Sequence, residues 1–106
     1  MAKAIALGEK HLILGFKGVG FEVVACKDGA ALLHELGALS RDPEVALVIV
    51  TESMAEEAPQ ALDMFRERSK AILTVIPTHE GSKHTNFNEM KKAVEKSIGV
   101  DILGKD

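Results

Sequence analysis

Val45-Ala46-Leu47-Val48-Ile49-Val50, running into Thr51-Glu52, is the stretch whose reading decides the fold. It is unbroken apolar, rich in β-branched side chains, and stops at polar groups, the pattern of a strand buried on both faces. A strand with no polar face needs cover on both sides. The segments that flank it are amphipathic, so the stretch predicts a parallel sheet between two layers of helix.

Toward the N-terminus, Ala4-Ile5-Ala6-Leu7 reads as a buried strand ended by Gly8. From Glu9 to about Phe16 the pattern changes. Leu12, Phe16 and Val19 recur at helical spacing, and Gly15, Gly18 and Gly20 fray the end, which predicts a short first helix. Phe21, Val23, Val24 and Ala25 make another strand, with Glu22 at an exposed position that suits a sheet edge. Asp28 is a good N-cap for a helix over residues 29–39, with Leu32, Leu36 and Leu39 on its apolar face and Leu33 broadening the stripe. Ser40-Arg41-Asp42-Pro43-Glu44 is a polar connector back to the central stretch.

Downstream, Ser53 and Glu56 stand at capping-box spacing, which predicts a helical turn starting at Met54. Pro59 interrupts it and opens a new helix to about Ser69, with Ala58, Leu62 and Phe65 toward the sheet. Ala71-Ile72-Leu73-Thr74-Val75-Ile76 is the fourth strand, closed by Pro77. The expected organisation is a sheet domain over residues 1–77, a polar loop over 78–86 holding His79 and His84, and a C-terminal helix and tail over 87–106, docked or projecting. In that last segment Asn86 and Glu89 suit a cap, and Phe87, Met90, Val94 and Ile98 form a narrow apolar stripe. Gly99 suits a helix end. Right-handed crossovers then give an α/β fold: a small, doubly wound, parallel four-stranded sheet, most simply in order 2-1-3-4.

Composition narrows the function classes. At 106 residues there is room for one modest core. The 13 basic and 16 acidic residues leave a net charge of −3 without a basic run, so nucleic acid is not an expected partner. The four Phe without Tyr or Trp weigh against base stacking. Cys26 stands alone, so no disulfide forms within the chain and a cytoplasmic setting is expected. The apolar run before Gly8 is too short for a signal-peptide core or a membrane span, so no direct membrane insertion is expected.

In this architecture a site would lie beyond the C-terminal ends of the first and third strands. Gly8, Glu9, Lys10 and His11 follow the first; Thr51, Glu52 and Ser53 follow the third. A phosphate-accepting receiver needs acidic residues and an aspartate there to hold magnesium beside the nucleophile, and a lysine after its last strand. Here the third strand ends in Thr-Glu, and Pro77 stands near the lysine's place. The glycine-rich Gly15-Phe16-Lys17-Gly18-Val19-Gly20 sits at the far end of the first helix, where no N-terminal amides face a pyrophosphate. His79 and His84 lack a third ligand at metal-site spacing. Cys26 has no partner for nucleophilic chemistry and reads as a core thiol. Glu52, Glu56 and Glu57 read equally as an anionic patch for a basic partner or as charges favoured in the first turns of a helix. No catalytic, cofactor-binding or metal-binding residue is therefore expected.

Several short motifs in order carry a family resemblance: Gly15-Phe16, Thr51-Glu52-x-x-Ala55-Glu56, Ile76-Pro77 followed by Glu80-Gly81-Ser82, and Ile98-Gly99-x-Asp101-Ile102. Together they make the chain similar to the F subunit of the archaeal-type and bacterial V-type rotary ATPases, over nearly its whole length. The resemblance implies a non-catalytic central-stalk protein with a small Rossmann-like domain and a C-terminal segment that can project. It implies pairing with the coiled-coil D subunit of the stalk, contact with the A and B subunits of the head through the C-terminal segment, and proximity to the C subunit that connects stalk to ring. The complex would couple ATP turnover to proton or sodium transport, with the chain cytoplasmic and peripheral to the membrane. Carried onto this sequence, the partner-binding residues would be Phe87, Met90, Val94 and Ile98, with Gly99, Val100, Asp101 and Ile102 as the terminal signature. The chain departs from the family pattern at Gly18-Val19-Gly20 and in residues 84–88. The alternatives are a receiver-like regulatory module without phosphoacceptor chemistry, and a small enzyme whose polar groups converge at Glu9 and Glu52 only in three dimensions.

Overall fold

The computed structural model of the protein describes residues 2–78. In chain order it contains β1 (Lys3–Gly8), α1 (Lys10–Ile13) running into a 3-10 turn (Leu14–Val19), β2 (Glu22–Ala25), α2 (Gly29–Leu39), β3 (Val45–Thr51), α3 (Glu52–Ala55), α4 (Pro59–Arg68) and β4 (Ile72–Ile76). The four strands form one parallel sheet in the order β2-β1-β3-β4, as the sequence pattern predicts.

The side chains of β3 explain this arrangement. Val48 and Val50 point into one apolar cluster with Ile5, Leu7, Leu32, Leu36, Leu62 and Phe65, so that α2, α3 and α4 cover this face. Leu47 and Ile49 point into a second cluster with Ala6, Ile13, Phe16, Phe21 and Ile76 on the opposite face. Every residue of β3 except Ala46 is buried, which is the cover on both sides that the unbroken apolar run requires. On the second face, Phe16 and Phe21 meet edge to face with ring centroids 5.2 Å apart, fastening the 3-10 turn to the start of β2.

Local signals explain the helix ends. Asp28 accepts a hydrogen bond from the Ala31 amide at 2.9 Å, so α2 begins where its cap lies. Pro59 opens α4 at a first-turn position, where its missing N–H costs no helical bond. Two readings are corrected. Leu33 is 41% exposed and lies off the packed stripe of α2, which Leu32 and Leu36 fill. The turn after β3 begins at Glu52 rather than Met54, and Thr51 precedes it without a side-chain cap. Ser53 does not cap because its hydroxyl is committed to Glu9.

Candidate functional site

The C-terminal ends of β1 and β3 lie side by side, with Leu7 opposite Val50. Past this point Gly8 has φ of +154°, and a Cβ there would stand 2.5 Å from Thr51 Oγ1. Only glycine lets the two strand ends approach so closely. The approach carries Glu9 across the end of β3. There its Oε1 accepts a hydrogen bond from Thr51 Oγ1 and its Oε2 accepts one from Ser53 Oγ, both at 2.6 Å.

Thr51 is completely buried and Ser53 half-buried, so each hydroxyl donates into a partly desolvated site. Burial by itself would raise the pKa of Glu9. The bonds from Ser53 and Thr51, with help from its own amide and from His11, outweigh burial and hold the carboxyl below its usual range. Glu9 is thus an ionised carboxylate with a hydroxyl on each oxygen. Its chemistry is that of a brace between two strand ends.

A second contact closes the same edge. The Ser53 amide donates to Thr78 Oγ1 at 3.2 Å, and the Thr78 amide donates to Glu52 Oε1 at 3.3 Å. The chain leaving β4 is therefore fastened to the first turn of α3. The other acidic residues separate: Glu56 is the C-cap of α3, and Glu57 lies beyond it. Glu57 Oε1 accepts from the Gly29 amide at 3.0 Å, at the first turn of α2. The favourable end for this charge is therefore that of a different helix from the one the sequence suggests. Gly29 is required there, since a Cβ would come within 2.8 Å of the Glu57 carbonyl.

Cys26 is buried, and burial pushes its thiol up to about 11, so it stays protonated at neutral pH. Among the described residues, no group of three or more His, Cys, Asp or Glu side chains could hold a metal ion. No helix among them is long and apolar enough to cross a membrane. The expected partner-binding residues Phe87, Met90, Val94, Ile98, Gly99, Val100, Asp101 and Ile102 lie outside the described residues, as do His79 and His84. Sequence reasoning named the positions around Glu9, Thr51 and Ser53 but missed their mutual bonds. The available signal was a carboxylate just past one strand and two hydroxyls just past its neighbour. Thr78, read only as the start of a loop, carried no such signal.

Comparison with known proteins settles the family. A model of the ATP synthase (F/14-kDa) subunit matches residues 4–98. The chain belongs to that family. Similar proteins include the F subunit of the V-type ATP synthase of Fusobacterium nucleatum, 25% identical over 103 residues that make up 97% of each chain. That of Clostridium botulinum is 25% identical over 97 residues, covering 92% of this chain and 93% of the relative. The F subunit of the A-type ATP synthase of Methanococcus aeolicus is 25% identical over 101 residues, covering 94% and 98%. The family match takes in Phe87, Met90, Val94 and Ile98 and ends before Gly99-Val100-Asp101-Ile102.

Proposed function

We propose that the chain is a non-catalytic central-stalk protein of a V/A-type rotary ATP synthase, coupling ATP turnover in the head to ion transport through the membrane ring. The observation that carries this reading is the family match over residues 4–98, reinforced by near end-to-end alignment with relatives named as F subunits. The described domain suits such a role physically. Its sheet is apolar on both faces and its C-terminal edge is closed by Glu9, Thr51, Ser53 and Thr78, which favours a rigid body over a deformable one.

In this reading the coiled-coil D subunit of the stalk is the principal partner. The A and B subunits of the head meet the C-terminal segment, and the connecting C subunit lies below. Phe87, Met90, Val94 and Ile98 would line the contact that modulates ATP hydrolysis, followed by Gly99, Val100, Asp101 and Ile102. The chain would then sit on the cytoplasmic side, held at the membrane only through the complex.

Co-expression of the full chain with the A, B, C and D subunits tests the proposal. The expected result is one complex containing all five proteins. Met90→Asp with Val94→Asp should then change its ATPase rate while the isolated chain stays folded by circular dichroism. Recovery of a head-and-stalk complex lacking this chain would exclude the stalk role. Saturable, magnesium-dependent phosphoryl binding by the isolated chain would favour the receiver-like alternative instead.

A further inference from the structure

At the opposite edge of the sheet, where β3 and β4 begin, lies an open groove of about 530 Å3. Arg41 stands on one wall, in the connector from α2, and Arg68 and Lys70 stand on the other, at the end of α4. Val45, Ala46 and Ile72 are also in its lining, and Ile72 is 46% exposed.

All three cations are exposed, and none makes an ion pair or side-chain hydrogen bond with the described residues. Asp42 is also in the lining, and it is paired with Lys3, accepting from Lys3 Nζ at 2.8 Å and from the Glu44 amide at 2.9 Å; three cations against this one acid leave the lining positive. Arg66, the next arginine along α4, differs from its neighbours: its Nη2 donates to the Leu73 carbonyl on edge strand β4 at 3.3 Å. That bond commits Arg66 to the sheet, whereas Arg41, Arg68 and Lys70 keep their donors for a partner.

We propose that this groove is a docking surface for an acidic segment of a neighbouring subunit. Its carboxylates would meet Arg41, Arg68 and Lys70, and an apolar side chain would cover Ile72. Charge complementarity supports this: in a chain of net charge −3, three cations without an ion-pair partner among the described residues line one groove with an exposed isoleucine. Guanidinium groups suit the task because they bind carboxylates through two parallel hydrogen bonds. The identity of the partner as a neighbour within the complex rests on the stalk reading; the charge and apolar character of its segment do not.

Carbodiimide coupling of the complex assembled on the full chain, followed by peptide mapping, tests this. The expected product is an amide between Lys70 Nζ and an aspartate or glutamate of another subunit, at a yield above that of the control lysines Lys17 and Lys27. The triple variant Arg41→Glu, Arg68→Glu, Lys70→Glu should bind the remaining subunits on the order of tenfold more weakly at low salt, with the difference shrinking as salt rises. Unchanged binding together with no preference for Lys70 would overturn the proposal, as would coupling of Lys70 to a second copy of this chain. If the unmodified chain fails to assemble, the stalk reading falls. The groove is then tested by coupling to an acidic peptide carrying one leucine, with a leucine-free acidic peptide as control, and equal yields would overturn it.

Discussion

The two ends of the sheet treat charge in opposite ways. At the C-terminal edge the carboxylate of Glu9 is satisfied from within, by Thr51 and Ser53, and Thr78 is fastened beside them. At the N-terminal edge Arg41, Arg68 and Lys70 line a groove without a partner among the described residues. A polar group satisfied internally contributes to stability and has little left to offer a ligand; an unpaired cation contributes little to stability and has all its donors available. In doubly wound sheets the C-terminal edge is the usual place for chemistry. Here the polar groups at the ends of β1 and β3 are bonded to one another, and the cations without a partner among the described residues stand at the opposite end.

Four measurements would sharpen or break that contrast. The largest effect should come from Gly8→Ala, because the new Cβ would collide with the buried, hydrogen-bonded Thr51 side chain and adopt an unfavourable φ. Urea unfolding should show a loss of about 2–4 kcal/mol. A change below about 0.5 kcal/mol, the scale of an ordinary surface substitution, would mean that the strand ends do not need their close approach.

Next, Thr51→Val with Ser53→Ala removes both donors to Glu9 and should cost about 1–3 kcal/mol at neutral pH, toward the lower end because the carboxylate is partly solvated. The sign of the pH effect follows from the lowered pKa of Glu9 in the folded protein. Its stabilisation is complete above the ordinary glutamate pKa and is lost as pH falls through the folded value. The double variant should therefore lose less stability on acidification than the parent. An equally steep acid limb would show that Glu9 is not the group responsible.

Smaller still, the Arg41→Glu, Arg68→Glu, Lys70→Glu variant should change the stability of the isolated chain by no more than about 1 kcal/mol, since these groups are exposed and make no ion pair with the described residues. A larger loss would make the N-terminal edge structural as well. Last, Cys26 lies buried next to Gly8, whose carbonyl accepts the Cys26 amide at 2.9 Å. Its thiol, at about 11, should resist iodoacetamide at mildly alkaline pH until denaturant is added, as followed by mass spectrometry. Fast labelling in native buffer would mean that the packing around Cys26 opens readily.

The fold was legible because its signals are local and repetitive. The unbroken apolar run of β3, the Asp28 cap and the break at Pro59 each point to one conformation without knowledge of distant residues. Leu33 misled because its neighbour Leu32 already fills the packed stripe, and a one-residue step turns a helical side chain by about 100°. The Ser53–Glu56 spacing fits a capping box, but a carboxylate 44 positions away took the hydroxyl. The groove at the other edge was hidden for a related reason. Arg41 and the Arg68–Lys70 turn are far apart in sequence, and only the 2-1-3-4 order brings them together. Local chemistry reads well from a sequence, whereas pairing across the sheet must wait for topology.

The fastening of Thr78 has a consequence for how load enters the domain. β4 is an edge strand, so a pull on the chain leaving it would otherwise peel it from β3 one backbone bond at a time. The two bonds between Thr78 and the start of α3 pass part of that tension to the end of the central strand, because α3 follows β3 without a gap. A pull on the chain beyond Thr78 must therefore break these two bonds before it can begin to peel β4 from β3.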